Sequence, residues 1–152
     1  MSMNRVRPVR VLLVEDDEED VVLIKKTLER DRLLIEFHHA CDGVDAMSHL
    51  HDSNENPKSH LPDLILLDLN MPRMDGREVL RQCSEDPKLR SIPIVVFTSS
   101  DDERDVLESY NLKASSFVSK PVDLAQFRNV LREIGEYWFC IVRLPPVTGA
   151  AT

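Results

Sequence analysis

The sequence predicts an alternating α/β domain, with a five-stranded parallel sheet and helices on both of its faces. Three observations predict it. Short apolar runs and helical patterns alternate five times along the chain, the order that a parallel sheet with crossover helices requires. The run Leu64–Leu67 is wholly apolar and lies between Pro62-Asp63 and Asp68, the composition of a strand buried on both faces. No composition shift or repeat marks a second domain within the 152 residues, a length that supports one real core.

Residues 1–8 read as a flexible N-terminal arm. Val9 to Val14 is an apolar strand broken only by Arg10, and it runs into Glu15-Asp16-Asp17-Glu18-Glu19-Asp20. A helix comes next, with Val21, Ile24 and Leu28 at helical spacing and acids at its start that suit the helix dipole. Leu34 to His39 alternates Ile35 and Phe37 with Glu36 and His38, a second strand. Asp42-Gly43 turns the chain into a short helix carrying Ala46, Met47 and Leu50. His51 to Pro62 is polar with two prolines and reads as a surface loop. Leu64 to Asp68 is the third strand, after which Pro72 and Asp75-Gly76 force a turn. Val79, Leu80 and Cys83 mark a third helix, stopped near Asp86-Pro87.

Ile92 to Phe97 is the fourth strand, ending in Thr98-Ser99-Ser100, and Asp101 to Tyr110 is a weak, highly charged helix. Ser116 to Ser119 is a short fifth strand that ends in Lys120-Pro121. The last helix carries the longest stripe: Leu124, Phe127, Val130, Leu131, Ile134, Trp138, Ile141 and Val142 step mostly by three and four. Pro145-Pro146 ends it, and residues 145–152 are expected to be disordered.

The net charge of −8, with 42% hydrophobic and 30% charged residues, is ordinary for a soluble globular protein. It argues against non-specific binding to nucleic acid or an anionic membrane, since both want a basic face. No run is long enough to span a bilayer. Met1 to Arg10 lacks an apolar signal core, so a cytoplasmic protein is expected. Cys41, Cys83 and Cys140 have neither disulfide nor metal spacing and read as reduced packing residues. The five histidines show no ligand spacing and read as surface or structural.

A carboxylate fixed at the mouth of a buried strand is costly to keep charged without partners. Partners for Asp68 stand elsewhere in the chain. Four strand ends deliver Glu15-Asp16, Asp68, Thr98 and Lys120, all to the C-terminal edge of a parallel sheet, where such sheets hold their ligands. The chemistry this suits is phosphoryl transfer to a carboxylate, with Asp68 as nucleophile forming an acyl phosphate. Glu15 and Asp16 with Asp68 make a hard oxygen site for Mg²⁺, which offsets repulsion between carboxylate and phosphoryl group. Lys120 puts a cation on a phosphoryl oxygen and Thr98 a hydroxyl on another, and positioning with charge neutralisation is most of what such a transfer needs. Asp17 to Asp20 read as a solvated face.

Other chemistries fit less well. A phosphatase with an Asp nucleophile needs a second acid two residues on, and that position is Asn70. A flavin or nucleotide carrier needs a Gly- or Ser/Thr-rich loop after the first strand, and the acidic run Glu15–Asp20 would repel phosphates. Phe117 is as easily a core residue as a functional one.

The segments Leu13-Val14-Glu15-Asp16-Asp17, Leu67-Asp68-Leu69-Asn70-Met71-Pro72 with Met74-Asp75-Gly76, Thr98-Ser99 and Lys120-Pro121 resemble the receiver domain of two-component response regulators. The resemblance covers roughly residues 9 to 135. It implies a flavodoxin-like (βα)5 fold with strand order 2-1-3-4-5, as in flavodoxin and the chemotaxis regulator. It implies Asp68 as phosphoacceptor from a sensor histidine kinase, and Glu15, Asp16, Asp68 and the Asn70 backbone carbonyl as Mg²⁺ ligands. Thr98 then corresponds to the switch hydroxyl, Phe117 to the switch aromatic and Lys120 to the phosphate-contacting lysine. Lys120-Pro121 falls where the family holds a cis peptide. Residues 9–144 would be the receiver domain with an extended last helix. An output domain is not expected after it, so a signal would leave by protein–protein contact, and catalysis would be confined to the chain's own phosphorylation and dephosphorylation.

A narrower resemblance concerns the ends. The Ser53–Leu61 loop and the tail Gly135-Glu136-Tyr137-Trp138-Phe139-Cys140-Ile141-Val142-Arg143-Leu144-Pro145 look like those of single-domain regulators paired with bacterial phytochrome histidine kinases. The last stripe would span roughly 28 Å at the helical rise, against roughly 20 Å for a sheet of short strands. Apolar residues beyond Ile134 would then project past the core and form a homodimer contact, unless the helix breaks at Gly135.

Overall fold

In the computed structural model, which describes residues 8–29, 34–55 and 61–145, the alternation is that of the sequence. It runs β1 (Val9–Val14), α1 (Glu18–Glu29), β2 (Ile35–Ala40), α2 (Gly43–Glu55), β3 (Leu64–Leu67), α3 (Gly76–Glu85), β4 (Ile94–Thr98), α4 (Glu103–Asn111), β5 (Ser116–Ser119) and α5 (Leu124–Gly135). The five strands form one sheet in the order β2-β1-β3-β4-β5, and each neighbouring pair is parallel. The expected N-terminal arm, apart from Pro8, and the expected tail beyond Pro145 lie outside the described residues.

Alternate side chains of the central strands go to opposite faces, and both faces are covered. Leu12, Val14, Ile65, Leu67 and Val96 pack with Met47 and Leu50 of α2 and with Val79, Leu80 and Cys83 of α3. On the other side Val11, Leu13, Leu64, Leu66 and Phe97 meet Ile24 and Leu28 of α1 and Phe127, Leu131 and Ile134 of α5. Each such fully buried side chain contributes about 1.5–3 kcal/mol of transfer free energy. This is why the covered length of β1 and all of β3 are apolar up to their last positions. The register pairs Val14 with Leu67 and Leu67 with Val96, so the strands end almost level. The residues just past their ends therefore arrive together on one lip of the sheet.

Several boundaries differ from expectation for local reasons. The fourth strand starts at Ile94 rather than Ile92, because Pro93 has no N–H to give to the ladder. It runs on through Thr98. The second helix extends to Glu55, so the polar stretch expected as a loop from His51 begins as helix. No Gly or Pro stands between His51 and Glu55 to break it, and residues 56–60 of that stretch lie outside the described part. The second strand runs from Ile35 to Ala40, one residue later than expected. The helix expected from Asp101 begins at Glu103, capped by the Asp102 carboxylate, which accepts from the Arg104 N–H. Of the cysteines only Cys83 packs inside, while Cys41 and Cys140 are exposed.

The last helix is not one long α-helix. It passes into a π-helical segment at Glu136–Ile141, where the Val142 N–H donates five residues back to the Tyr137 carbonyl at 2.9 Å. The change comes at Gly135, where a Cβ would stand 3.0 Å from Leu28 of α1. Trp138 and Phe139 are half-buried against the second core. The expectation of projection past the sheet beyond Ile134 is therefore corrected for Trp138 and Phe139, which the wider winding after Gly135 keeps on the domain. The Lys120–Pro121 bond is also not the expected cis peptide; it is trans like every other described peptide, the form that X–Pro bonds favour by about 0.5–1 kcal/mol.

Candidate functional site

Asp68 stands directly after β3, and its backbone N–H still donates to the Val14 carbonyl at 3.0 Å. Its carboxylate is thereby locked at the lip, on a residue only 7% exposed. The next turn is held tightly beneath it. The Gly76 N–H donates to Leu69 O at 2.9 Å, and a Cβ at Gly76 would lie 2.4 Å from the Asp68 carbonyl oxygen, so only glycine lets α3 start this close. Asp75 caps α3, accepting from the Arg77 and Glu78 N–H groups. Arg73 adopts φ 64° with its guanidinium on the buried Asp42 at 2.5 Å.

Glu15 stands after β1 in the same way, with its N–H on the Ala40 carbonyl at 3.0 Å and the residue 1% exposed. Its carboxylate accepts from the Asp17 N–H at 3.1 Å, while its carbonyl oxygen is 2.7 Å from the His39 ring. Asp16 beside it is exposed. Glu15, Asp16 and Asp68 each offer a carboxylate oxygen within 4.8 Å of the others, a hard oxygen cluster able to share one divalent cation.

Lys120 closes the constellation. Its backbone N–H donates to Thr98 O at 2.7 Å, extending the β4–β5 ladder by a residue and aiming the side chain back over the sheet. The ammonium lies 2.6 Å from Glu15, 2.8 Å from Asp20 and 3.4 Å from Asp68, with the Phe97 ring 6.0 Å away. Burial pushes the Glu15 carboxyl up to about 8, and repulsion from Asp68 adds to this while the Lys120 ammonium opposes it. Burial would lower Lys120, but its bonds to Asp20 and Glu15 and the charge of Asp68 outweigh that and raise it. The site thus holds more negative charge than one ammonium neutralises, which fits a further cation.

Of the residues singled out from sequence, Glu15, Asp16, Asp68 and Lys120 come together. Thr98 is fully buried at the end of β4, its Oγ1 accepting from the Ser100 N–H at 3.5 Å. Asn70 is exposed, and its N–H reaches the Asp68 carboxylate at 3.4 Å. Phe117 is half-buried against the first core, and its N–H donates to the Tyr110 hydroxyl at 3.1 Å.

Two members of the acidic run expected as a solvated face do more. Asp17 caps α1, accepting from the Glu19 and Asp20 N–H groups at 2.9 and 3.3 Å. Asp20 holds Lys120. That role is concealed by an unbroken run of acids.

A family model described as response regulator receiver domain matches residues 11–132. The chain is 38% identical over 145 residues to the response regulator Rcp1 of Synechocystis, covering 95% of this chain and 99% of that one. Among solved structures it is similar to the phosphorylated cyanobacterial phytochrome response regulator RcpA, with TM-score 0.87 and 37% identity over 92% of this chain and 100% of that one. It is also similar to the Mn²⁺-bound form of Rcp1, with TM-score 0.86 and 38% identity over 91% of this chain and 100% of that one.

Proposed function

The chain belongs to the response regulator receiver family, and on that premise we propose that Asp68 accepts a phosphoryl group from a sensor histidine kinase. One Asp68 carboxylate oxygen attacks phosphorus. The P–O bond forms as the P–N bond to the kinase histidine breaks, and the imidazole keeps the electron pair and takes a proton from solvent. Lys120 gives an N–H to one phosphoryl oxygen and Thr98 its hydroxyl to another. Glu15, Asp16, Asp68 and the Asn70 carbonyl would hold Mg²⁺, which when bound supplies positive charge against the repulsion between carboxylate and phosphoryl group. The observation that carries this reading is one buried ammonium ringed by carboxylates, Asp68 among them, beside a cluster of acids able to share a cation. The chain catalyses only its own phosphorylation and dephosphorylation.

Intact-mass spectrometry after incubation with acetyl phosphate tests it. The wild type gains one phosphate only with Mg²⁺ present, and Asp68→Asn gains none. An equal adduct on the variant overturns the assignment.

The kinase is of the bacterial phytochrome kind, and the setting is cytoplasmic. Support comes from the tail motif and from the naming of RcpA as a phytochrome response regulator. Among the described residues no helix is long and apolar enough to cross a membrane. The signal leaves through Thr98 and Phe117, whose movement re-shapes the α4–β5 face, and through a homodimer on the last helix and tail. The dimer is supported by the exposed Tyr137 beside a cavity of about 510 Å³ lined by Val118, Val130, Ile134 and Trp138. Light scattering checks it. Tyr137→Ala shifts a dimer toward monomer and leaves Asp68 labelling intact, while a wild type that stays monomeric when phosphorylated and concentrated refutes it.

A further inference from the structure

We propose that Asp20 is a positioning residue that parks the Lys120 ammonium on α1 and competes with the incoming phosphoryl group for it. The inference rests on the roles given above to Asp68 and Lys120. An ammonium has three N–H donors, and Lys120 faces three carboxylates, Glu15 at 2.6 Å, Asp20 at 2.8 Å and Asp68 at 3.4 Å. Its side chain is 6% exposed, so solvent has little access to it. A phosphoryl oxygen gains one of these donors only by displacing a carboxylate that already has it.

The three carboxylates are not equivalent. Asp68 becomes the acyl phosphate itself, and its contact is the longest of the three. Glu15 and Asp68 belong to the cluster that can share a cation, and Asp20 does not. Asp20 therefore stays free to hold Lys120 when the other two are engaged. It is also fixed in place, because Asp17 pins the first turn of α1 through the Glu19 and Asp20 N–H groups. An acid in the first turn of a helix has a bland role in complementing the dipole. Glu18 and Glu19 fill that role as well, whereas Asp20 is the acid of this turn that pairs with Lys120.

The test is beryllofluoride, a phosphoryl analogue, titrated with Mg²⁺ into the full chain and followed by NMR. Asp20→Asn binds it about fivefold more tightly than the wild type, within the coupling range of residues in one ion-pair network. Asp20→Glu restores the wild-type affinity. In a Lys120→Met background the gain disappears. A gain of equal size there means simple charge repulsion and overturns the parking role, as does an unchanged or weaker affinity in Asp20→Asn. The Lys120 ¹⁵Nζ resonance gives a second reading that needs no Lys120 substitution. It differs between wild type and Asp20→Asn before beryllofluoride is added and coincides afterwards, and a difference that persists overturns the proposal. A wild type that fails to bind beryllofluoride overturns the site assignment and this inference with it. A wild type that binds, beside an Asp20→Asn variant that behaves the same, overturns the role of Asp20 alone.

Discussion

The lip over β1 and β3 and the flank made by α4 and β5 are built by opposite means. At the lip, Glu15, Asp68 and Lys120 are 2%, 8% and 6% exposed along their side chains, and charge set against charge in a dry place does the holding. On the flank, α4 buries Ser109 alone, β5 is nowhere fully covered, and Leu107 and Tyr110 face outward. Polar ties hold it. Arg77 of α3 reaches Asp105 at 2.6 Å and Glu108 at 3.4 Å, Ser100 bonds Asp105, and the Tyr110 hydroxyl takes the Phe117 N–H. A region with few buried apolar contacts opens at low cost. The difference suits a device in which charge changes at the lip and the flank moves in response.

Removing the cation at the lip tests the comparison most severely. Lys120→Met leaves buried carboxylates uncompensated and costs about 3 kcal/mol in the metal-free chain at pH 8. The cost shrinks at pH 5, where the Glu15 carboxyl, raised by burial, holds a proton. Urea unfolding at both values measures it. A cost below about 1 kcal/mol at both would mean that the lip is not held by this charge balance.

Acid and base limbs of the stability curve separate the two regions next. Burial raises Glu15 from 4.5 to about 8, so between those values the native chain keeps a proton that the unfolded chain has lost. Stability then falls as pH rises through that window. The metal-free chain melts lower at pH 8 than at pH 5, and Glu15→Gln flattens that slope. On the flank the sign reverses. The Arg77 guanidinium, with the Ser100 hydroxyl, holds Asp105 below the usual carboxylate range. Its contribution is present above the ordinary Asp value and lost as pH falls beneath it. Arg77→Ala removes that acid limb and leaves the base limb unchanged.

The smallest effect is on global stability when the flank is cut. Arg77→Ala costs about 1 kcal/mol, since charge-assisted bonds at partly exposed groups are discounted by solvent. Amide exchange across Glu103–Asn111 quickens while divalent-metal affinity holds. Slower exchange there, or a metal site that weakens as much as the flank loosens, would mean the two regions are not separately held.

Much of the molecule is legible in the sequence because its cause is local. Val9–Val14 and Ser116–Ser119 are strands, as their runs predict, since apolar runs flanked by breakers have few other uses. Glu15, Asp16, Asp68 and Lys120 are legible because they stand at strand ends, and parallel strands deliver their ends to one edge. Asp20 is hidden because the residues from Glu15 to Glu19 before it are all acids, and nothing in the run distinguishes the one that meets a lysine a hundred residues away. The winding of the last helix is hidden because a stripe of three-and-four steps reads alike in an α-helix and in one that widens. The close approach of Leu28 to Gly135 belongs to another helix altogether.

The sequence by itself determined the strand and helix count, the two-sided burial of β3, and the acids and lysine carried to the sheet's mouth. Each of these comes from periodicity or from a residue's position in its own strand. Only the tertiary structure decided which carboxylates share the ammonium, how far burial lifts Glu15, and where Trp138 and Phe139 come to rest. Those depend on distances between side chains far apart in the chain, and on the desolvation that packing imposes. Neither is set until the sheet closes and α1 and α5 lie side by side.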